Sequence, residues 1–201
     1  MRLRHSYCLA SEYIKPHECD RIVEICEKLS ASTAETAKDT DPKGDKRRSK
    51  IAWLADSAAN KWIYDRINLC VATANKEFWH WQMDGHEPLQ YTTYGTGQYY
   101  QWHTDASTSP YGKSSLWPGK VRKISVTVQL SHPNEYEGGD FMLEETRAAP
   151  DRAQDRIKTL EEARKRGTVI MFPSHLFHRV DEVTSGLRRS LVGWYLGFPF
   201  K

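Results

Sequence analysis

Gln98-Tyr99-Tyr100-Gln101-Trp102-His103-Thr104-Asp105 reads as a strand running into a turn, with two metal-binding side chains at its end. Successive residues of an extended backbone point to opposite faces, so His103 and Asp105 present an imidazole nitrogen and a carboxylate oxygen to one side, while Trp102 packs on the other. Two histidines and one carboxylate on one face of an ion leave the opposite positions open. That arrangement suits Fe(II) taking an organic cosubstrate and then O2. A lone His-x-Asp arises often by chance in a chain with eight histidines, and its bland reading is a surface imidazole beside a solvated acid. A further ligand comes from Phe172-Pro173-Ser174-His175-Leu176-Phe177-His178-Arg179-Val180. His175 and His178 have opposite parity, so one strand aims only one of them inward. His175 follows Pro173 in the turn and His178 opens the strand, so His178 is chosen. In Gly186-Leu187-Arg188-Arg189-Ser190 the two arginines again differ in parity, one inward and one outward. A guanidinium entering from that strand can pair bidentately with a carboxylate, and Arg188 is the candidate.

Outward from these motifs, the chain after Pro88 reads as short strands at residues 89–94, 98–103, 123–130, 140–143, 168–172, 178–183 and 189–196, separated by Gly- and Pro-containing turns. Gly138-Gly139 marks a tight turn, since Gly accepts positive φ. One helix is expected among the strands, over residues 151–166, a charged stretch without internal Gly or Pro that stops at Gly167. Ahead of the strands, Ile22, Val23, Ile25, Cys26 and Leu29 follow Pro16 at helical spacing. Trp62, Ile63, Ile67, Val71, Ala74 and Phe78 repeat that period over residues 57–81. The polar stretch 31–50 between them reads as a mobile loop leading into a short strand at 49–54. The pattern gives an α+β, mainly β chain, an antiparallel sandwich or barrel with its helices ahead of the strands. The length suits one domain over 1–201, with 1–87 as helical support and 88–201 as core.

Composition narrows the function classes. A net charge of +3 is too mild to argue for nucleic acid, and the basic run 43–50 is broken by Asp45 and reads as a solvated loop. Cys8, Cys19, Cys26 and Cys70 show no CxxC pairing, which argues against a zinc site or a disulfide framework. The first residues lack the apolar run of a signal peptide, and no stretch approaches a membrane span. The expectation is a reducing, cytoplasmic setting that keeps iron ferrous. Oligomeric state is not legible in these patterns.

The motifs are ordered and spaced as in one known family. Leu89-Gln90 with Tyr94, Tyr100-Gln101-Trp102-His103-Thr104-Asp105, Arg122-Lys123-Ile124-Ser125 through Gln129-Leu130-Ser131, Tyr136-Glu137-Gly138-Gly139-Asp140, the block from Gly167 to Ser174 with His178-Arg179-Val180, and the block from Val183 to Trp194 together resemble the prolyl 4-hydroxylase-like branch of the 2-oxoglutarate/Fe(II) oxygenases, especially PKHD-type hydroxylases. Arg48-Ser49-Lys50 with Trp53-Leu54 extends a looser likeness toward the N-terminus. The resemblance implies a double-stranded β-helix (jelly roll) with the N-terminal helices packed on one sheet. It assigns His103, Asp105 and His178 to the metal and Arg188 to the distal carboxylate of 2-oxoglutarate. Tyr94 takes the place of a cosubstrate-contacting tyrosine, and Gln129 and Ser190 are further cosubstrate contacts. Fe(II), 2-oxoglutarate and O2 are the implied reactants, with ascorbate as a reductant. The implied reaction is hydroxylation of a C–H bond of a peptidyl prolyl or other protein residue, or alternatively of a free amino acid or small metabolite. Trp53, Trp79 and Trp194 read as core or pocket wall. Trp117 is the candidate for touching substrate, against a role in loop packing, and stretches 31–50 and 107–120 are candidate lids. Two other classes compete. A non-catalytic jelly-roll binding module need not keep three ligands and an arginine, and a cupin-like metal enzyme needs no Arg188.

Overall fold

A computed structural model describes residues 6–32, 46–145 and 157–200. In chain order the elements are β1 (Cys8–Ala10), α1 (Pro16–Ser32), β2 (Arg47–Arg48), β3 (Lys50–Leu54), α2 (Lys61–Ala74), β4 (Leu89–Gly95), β5 (Tyr99–His103), β6 (Val121–Gln129), β7 (Tyr136–Gly138), β8 (Phe141–Glu144), β9 (Ile157–Thr159), β10 (Val169–Pro173), β11 (His178–Val180) and β12 (Val183–Gly197). One sheet runs β1-β10-β6-β12-β4-β3, with β7 paired to β12, and the other runs β2-β5-β11-β8-β9. From β4 onward the chain crosses repeatedly from one sheet to the other, and neighbouring strands are antiparallel. This is a double-stranded β-helix, mainly β with two α-helices ahead of it.

Strand parity divides the larger sheet into two chemically different faces. Ile124, Val126 and Val128 of β6, Val169 and Met171 of β10, and Leu191 and Tyr195 of β12 pack against the helices. The helices answer with stripes at three- and four-residue spacing: Cys19, Ile22 and Cys26 on α1, and Ile63, Tyr64, Ile67, Cys70, Val71 and Ala74 on α2. The Tyr64 hydroxyl donates to Leu54 O and accepts from Leu89 N, which ties the end of β3 to the start of β4. The opposite face looks between the sheets, where Ile170, Phe172, Phe141, Leu143 and Val180 form a second core. Along β12 the alternate residues Arg188, Ser190, Val192 and Trp194 line a cavity beside that core. Both faces are covered, so β4 and β6 read as nearly continuous buried runs.

Several elements differ from the sequence reading. The helix expected over 151–166 lies in part outside the described residues. The remainder is β9, which zips onto the edge of β8, followed by a 3-10 turn over Glu161–Arg164. An open sheet edge 13 or more residues away in sequence outcompetes local helix propensity, and Leu160 and Ala163 bury into the second core from that turn. The loop expected at 31–50 lies largely outside the described residues, and within it Arg47–Arg48 pair with β5 as β2. The helix over 57–81 is α-helical only to Ala74 and widens into a π-helical turn at Asn75–Trp79. β12 begins six residues earlier than the expected 189 because Val183 to Gly186 pair first with β7. Strands β1 to β3 precede residue 88 and join both sheets, so the sheets run through the boundary drawn at 87/88.

Candidate metal centre

β5 and β11 are antiparallel neighbours, and His103 and His178 are direct cross-strand partners, which brings the two imidazoles onto one face. Asp105 lies two residues past the end of the strand pairing. Its backbone N–H and that of Ala106 both donate to Ser174 O at 2.9 Å, so the turn after β10 fixes the carboxylate from behind. One ligand atom from each residue lies within 4.8 Å of the others, with His103 Nε2 at 3.7 Å and His178 Nε2 at 3.4 Å from the Asp105 oxygens. Ligand atoms about 2.1 Å from a shared ion stand roughly 3–3.5 Å apart, so only small closure is needed.

The tautomers follow from the backbone. His103 Nδ1 lies 2.8 Å from Gln101 O and His178 Nδ1 lies 3.0 Å from Leu176 O. A carbonyl only accepts, so each Nδ1 carries a proton and each Nε2 is the ring nitrogen turned toward Asp105. Two imidazole Nε2 atoms and a carboxylate converging in a nearly buried space fit the donor set of a divalent cation. Burial and the adjacent His178 push His103 well below the ordinary imidazole value, with Asp105 only partly opposing. Burial alone raises the Asp105 carboxyl, but His178, His103, the Ser125 hydroxyl and Arg122 outweigh it and hold the acid below its usual range. Ser125 Oγ donates to Asp105 Oδ2 at 2.6 Å and lies 2.9 Å from Ser174 Oγ. Ser125→Ala leaves that buried oxygen without its donor, and Fe(II) affinity is expected to fall by about 10- to 100-fold, measured by anaerobic metal titration.

The metal-free protein is expected to lose stability on mild acidification. Unfolded, His103 takes a proton as the pH falls below about 6.5, while the folded residue stays neutral, so the unfolded state binds more protons and gains. This residue contributes up to about 1.4 kcal/mol of loss per pH unit below that value, read from melting curves between pH 7 and 5. Asp105 adds in the same direction only below about pH 4, where its unfolded carboxyl protonates.

The triad lines a cavity of about 230 Å³ together with Arg188, Tyr94, Ser190 and Thr127. Arg188 is 2% exposed, and its Nη1 has no hydrogen-bond partner among the described residues. Its guanidinium carbon stands 5.6 Å from the ring centre of Tyr94, its cross-strand partner. Ionised groups are rarely buried without a counter-charge, so a cation here with an unused donor fits an anionic guest, and His103, Asp105 and His178 lie in the same cavity. Gln129 sits outside the lining. Its amide N–H groups donate to Tyr136 Oη and Ser131 O. Trp117 also lies outside the lining, packed 5.7 Å from the Tyr111 ring. Trp102 faces away, beneath Arg179, and His175 is exposed in the turn.

Other lining residues carry chemistry that the sequence did not reveal. Tyr100 stacks on His103 with ring centres 3.5 Å apart, and Arg47 stands 4.6 Å from the Tyr100 ring centre. Arg47 also donates to Gln90 Oε1 and Thr92 Oγ1 of β4, bridging the two sheets. Arg122 lies 3.9 Å over Trp194 and forks onto the Glu87 carboxylate, which also accepts from the Tyr111 hydroxyl. Parity would have placed Ser125 on the inner face with Thr127; no local signal marks Arg47 or Glu87.

Comparison with known proteins places this geometry. A PKHD-type hydroxylase from Idiomarina loihiensis is 35% identical over 101 residues, 50% of this chain and 38% of that protein. Another from Rippkaea orientalis is 35% identical over 106 residues, 53% of this chain and 41% of that protein. The match thus spans about two fifths of the length of these relatives. Among solved structures, a Pseudomonas putida prolyl-4-hydroxylase superposes with TM-score 0.68 at 16% identity, covering 96% of this chain and 92% of that one. A prolyl hydroxylase from Trichoplax adhaerens, in complex with a hypoxia inducible factor oxygen degradation domain peptide fragment, gives 0.71 at 15% identity, covering 96% and 84%. At such identities the likeness is one of fold. The sequence profile of the 2OG-Fe(II) oxygenase superfamily, however, matches residues 89–196, more than half of the chain and all but the last residue of the stretch from β4 to β12. With that match over the stretch that carries His103, Asp105, His178 and Arg188, the chain belongs to the 2OG-Fe(II) oxygenase superfamily.

Proposed function

We propose that the chain is an Fe(II)- and 2-oxoglutarate-dependent dioxygenase that hydroxylates a C–H bond, with a peptidyl prolyl or other protein side chain as substrate. The observation that carries this reading is the buried Arg188 with an unpaired donor in the cavity of the three ligands. His103, Asp105 and His178 would hold the metal by one face, and Arg188 would take the distal carboxylate of 2-oxoglutarate, with Tyr94 and Ser190 beside it. Bound there, the iron and 2-oxoglutarate supply the oxidising chemistry, in which O2, 2-oxoglutarate and a C–H bond become succinate, CO2 and an alcohol.

The rest of the site serves that chemistry by exclusion and orientation. Phe141, Val180, Val192 and Trp194 form an apolar wall that keeps bulk water from the ligands. Trp53 lines the cavity yet is 41% exposed, which places it at the opening, 6.1 Å from the Trp194 ring. An aromatic pair at the opening is suited to the flat apolar ring of a prolyl residue. Peptide substrates are supported by the relatives too, since one superposable hydroxylase is solved with a peptide fragment. Among the described residues no helix is long and apolar enough to cross a membrane. The test is succinate formation from 2-oxoglutarate with Fe(II) and ascorbate, followed by mass spectrometry of proline-containing peptides for the gain of one oxygen. Oxygen gain by free amino acids but by no peptide would replace the substrate reading with the small-metabolite one.

A further inference from the structure

We propose that Gly139 and Arg164 are positioning residues for 2-oxoglutarate, acting on Arg188 from the inner and outer sides of one turn. The proposal rests on Arg188 as the partner of the distal carboxylate. With no hydrogen bond to its Nη1 among the described residues, Arg188 takes its place from what its stem packs against, and the nearest wall is the turn between β7 and β8.

That turn exists because of its glycines. Gly138 and Gly139 both have positive φ, +68° and +63°, a conformation that L side chains rarely adopt. Gly139 N–H donates to Glu182 O, and Asp181 N–H donates to Asp140 O, so the turn is laced to the link between β11 and β12. On its inner side a Cβ at Gly139 would stand 3.1 Å from Arg188 Cδ and 2.8 Å from Val183 Cγ2. Arg188 lies where it does because position 139 has no side chain.

The outer side is held by Arg164. Its Nη1 donates to Gly138 O and Asp140 Oδ1 at 2.6 Å each, and its Nη2 donates to Tyr136 O at 3.2 Å. The same guanidinium stands 4.4 Å from the Tyr136 ring centre. One side chain thus bonds two backbone carbonyls of this segment. Tyr136 passes the constraint inward, because its ring edge lies within 3.3 Å of the Gly139 Cβ position. A guanidinium meets a carboxylate through two parallel N–H bonds, so a shift of a few tenths of an ångström in the Arg188 stem degrades that pairing before it disturbs the metal ligands.

The test compares two probes on the anaerobic, Fe(II)-loaded protein: 2-oxoglutarate, and 2-oxopentanoate, which has the same carbon chain without the distal carboxylate. Calorimetry gives both affinities and, separately, the affinity for Fe(II). Wild type is expected to prefer 2-oxoglutarate strongly. Gly139→Ala is expected to shrink that preference by about tenfold or more and Arg164→Gln by about fivefold, with 2-oxopentanoate and Fe(II) binding unchanged. Should Gly139→Ala fail to fold, Arg164→Gln decides, since its side chain is 27% exposed and glutamine keeps an N–H donor for the turn. Equal weakening of both probes and the metal would mean a merely structural turn and overturn the proposal. So would variants that keep the wild-type preference. A wild type that shows no preference would overturn the reading of Arg188 itself.

Discussion

Arg188→Met is expected to weaken 2-oxoglutarate binding by about 30-fold or more while raising the melting temperature of the metal-free protein. Both effects come from one feature, a guanidinium that is 2% exposed and has no carboxylate partner among the described residues. Removing one member of a buried charge pair typically costs about 2–5 kcal/mol of binding, a loss of about 30- to several-thousand-fold in affinity. Without the anion the same guanidinium is a burden, since its desolvation is not repaid. Methionine keeps the unbranched stem between Tyr94 and Gly139 and removes the charge, so the fold is expected to gain roughly 1–3 kcal/mol. The paired signature is the useful part. A residue that only supports the fold would lose stability on substitution, and an exposed arginine would change neither quantity. Calorimetric titration and thermal melting of the two proteins check it, and a variant that binds 2-oxoglutarate as wild type does would remove Arg188 from the site.

His178→Ala is expected to lower Fe(II) affinity by more than about a hundredfold, because loss of a direct ligand exceeds the 10- to 100-fold typical of groups that merely orient one. His175→Ala, three residues earlier, is expected to leave Fe(II) binding unchanged, since that imidazole is exposed in the turn while His178 is buried opposite His103. Anaerobic metal titration of the two variants separates them, and a larger loss from His175→Ala would contradict the ligand set. The contrast isolates strand parity, since both substitutions remove the same group from the same short segment.

Parity also explains how much of the molecule was legible in the sequence. Period-two alternation along residues 98–105 and 186–194, and the opposite parity of His175 and His178, are local facts, and the structure places His103, Asp105, His178 and Arg188 in one cavity. The helical stripes on α1 and α2 were legible for the same reason. What escaped depends on distant partners. β9 is a strand because the edge of β8 receives it, and β1 and β2 are too short to carry a pattern of their own. Glu87 gains its role only when Arg122 and Tyr111 reach it from 35 and 24 residues away. Arg47 looked like part of a solvated basic run, yet it spans the two sheets and covers Tyr100. Gln129, expected as a cosubstrate contact, has an inward parity but is engaged by Tyr136 outside the cavity lining.

If His103, Asp105, His178 and Arg188 form a single site, metal and 2-oxoglutarate bind there together. Titrating 2-oxoglutarate without O2 into metal-free and Fe(II)-loaded protein measures it most directly, since coupling between two ligands is reciprocal. One Fe(II) per chain is expected, with at least about tenfold tighter 2-oxoglutarate binding in its presence. Equal affinity with and without the metal would contradict it.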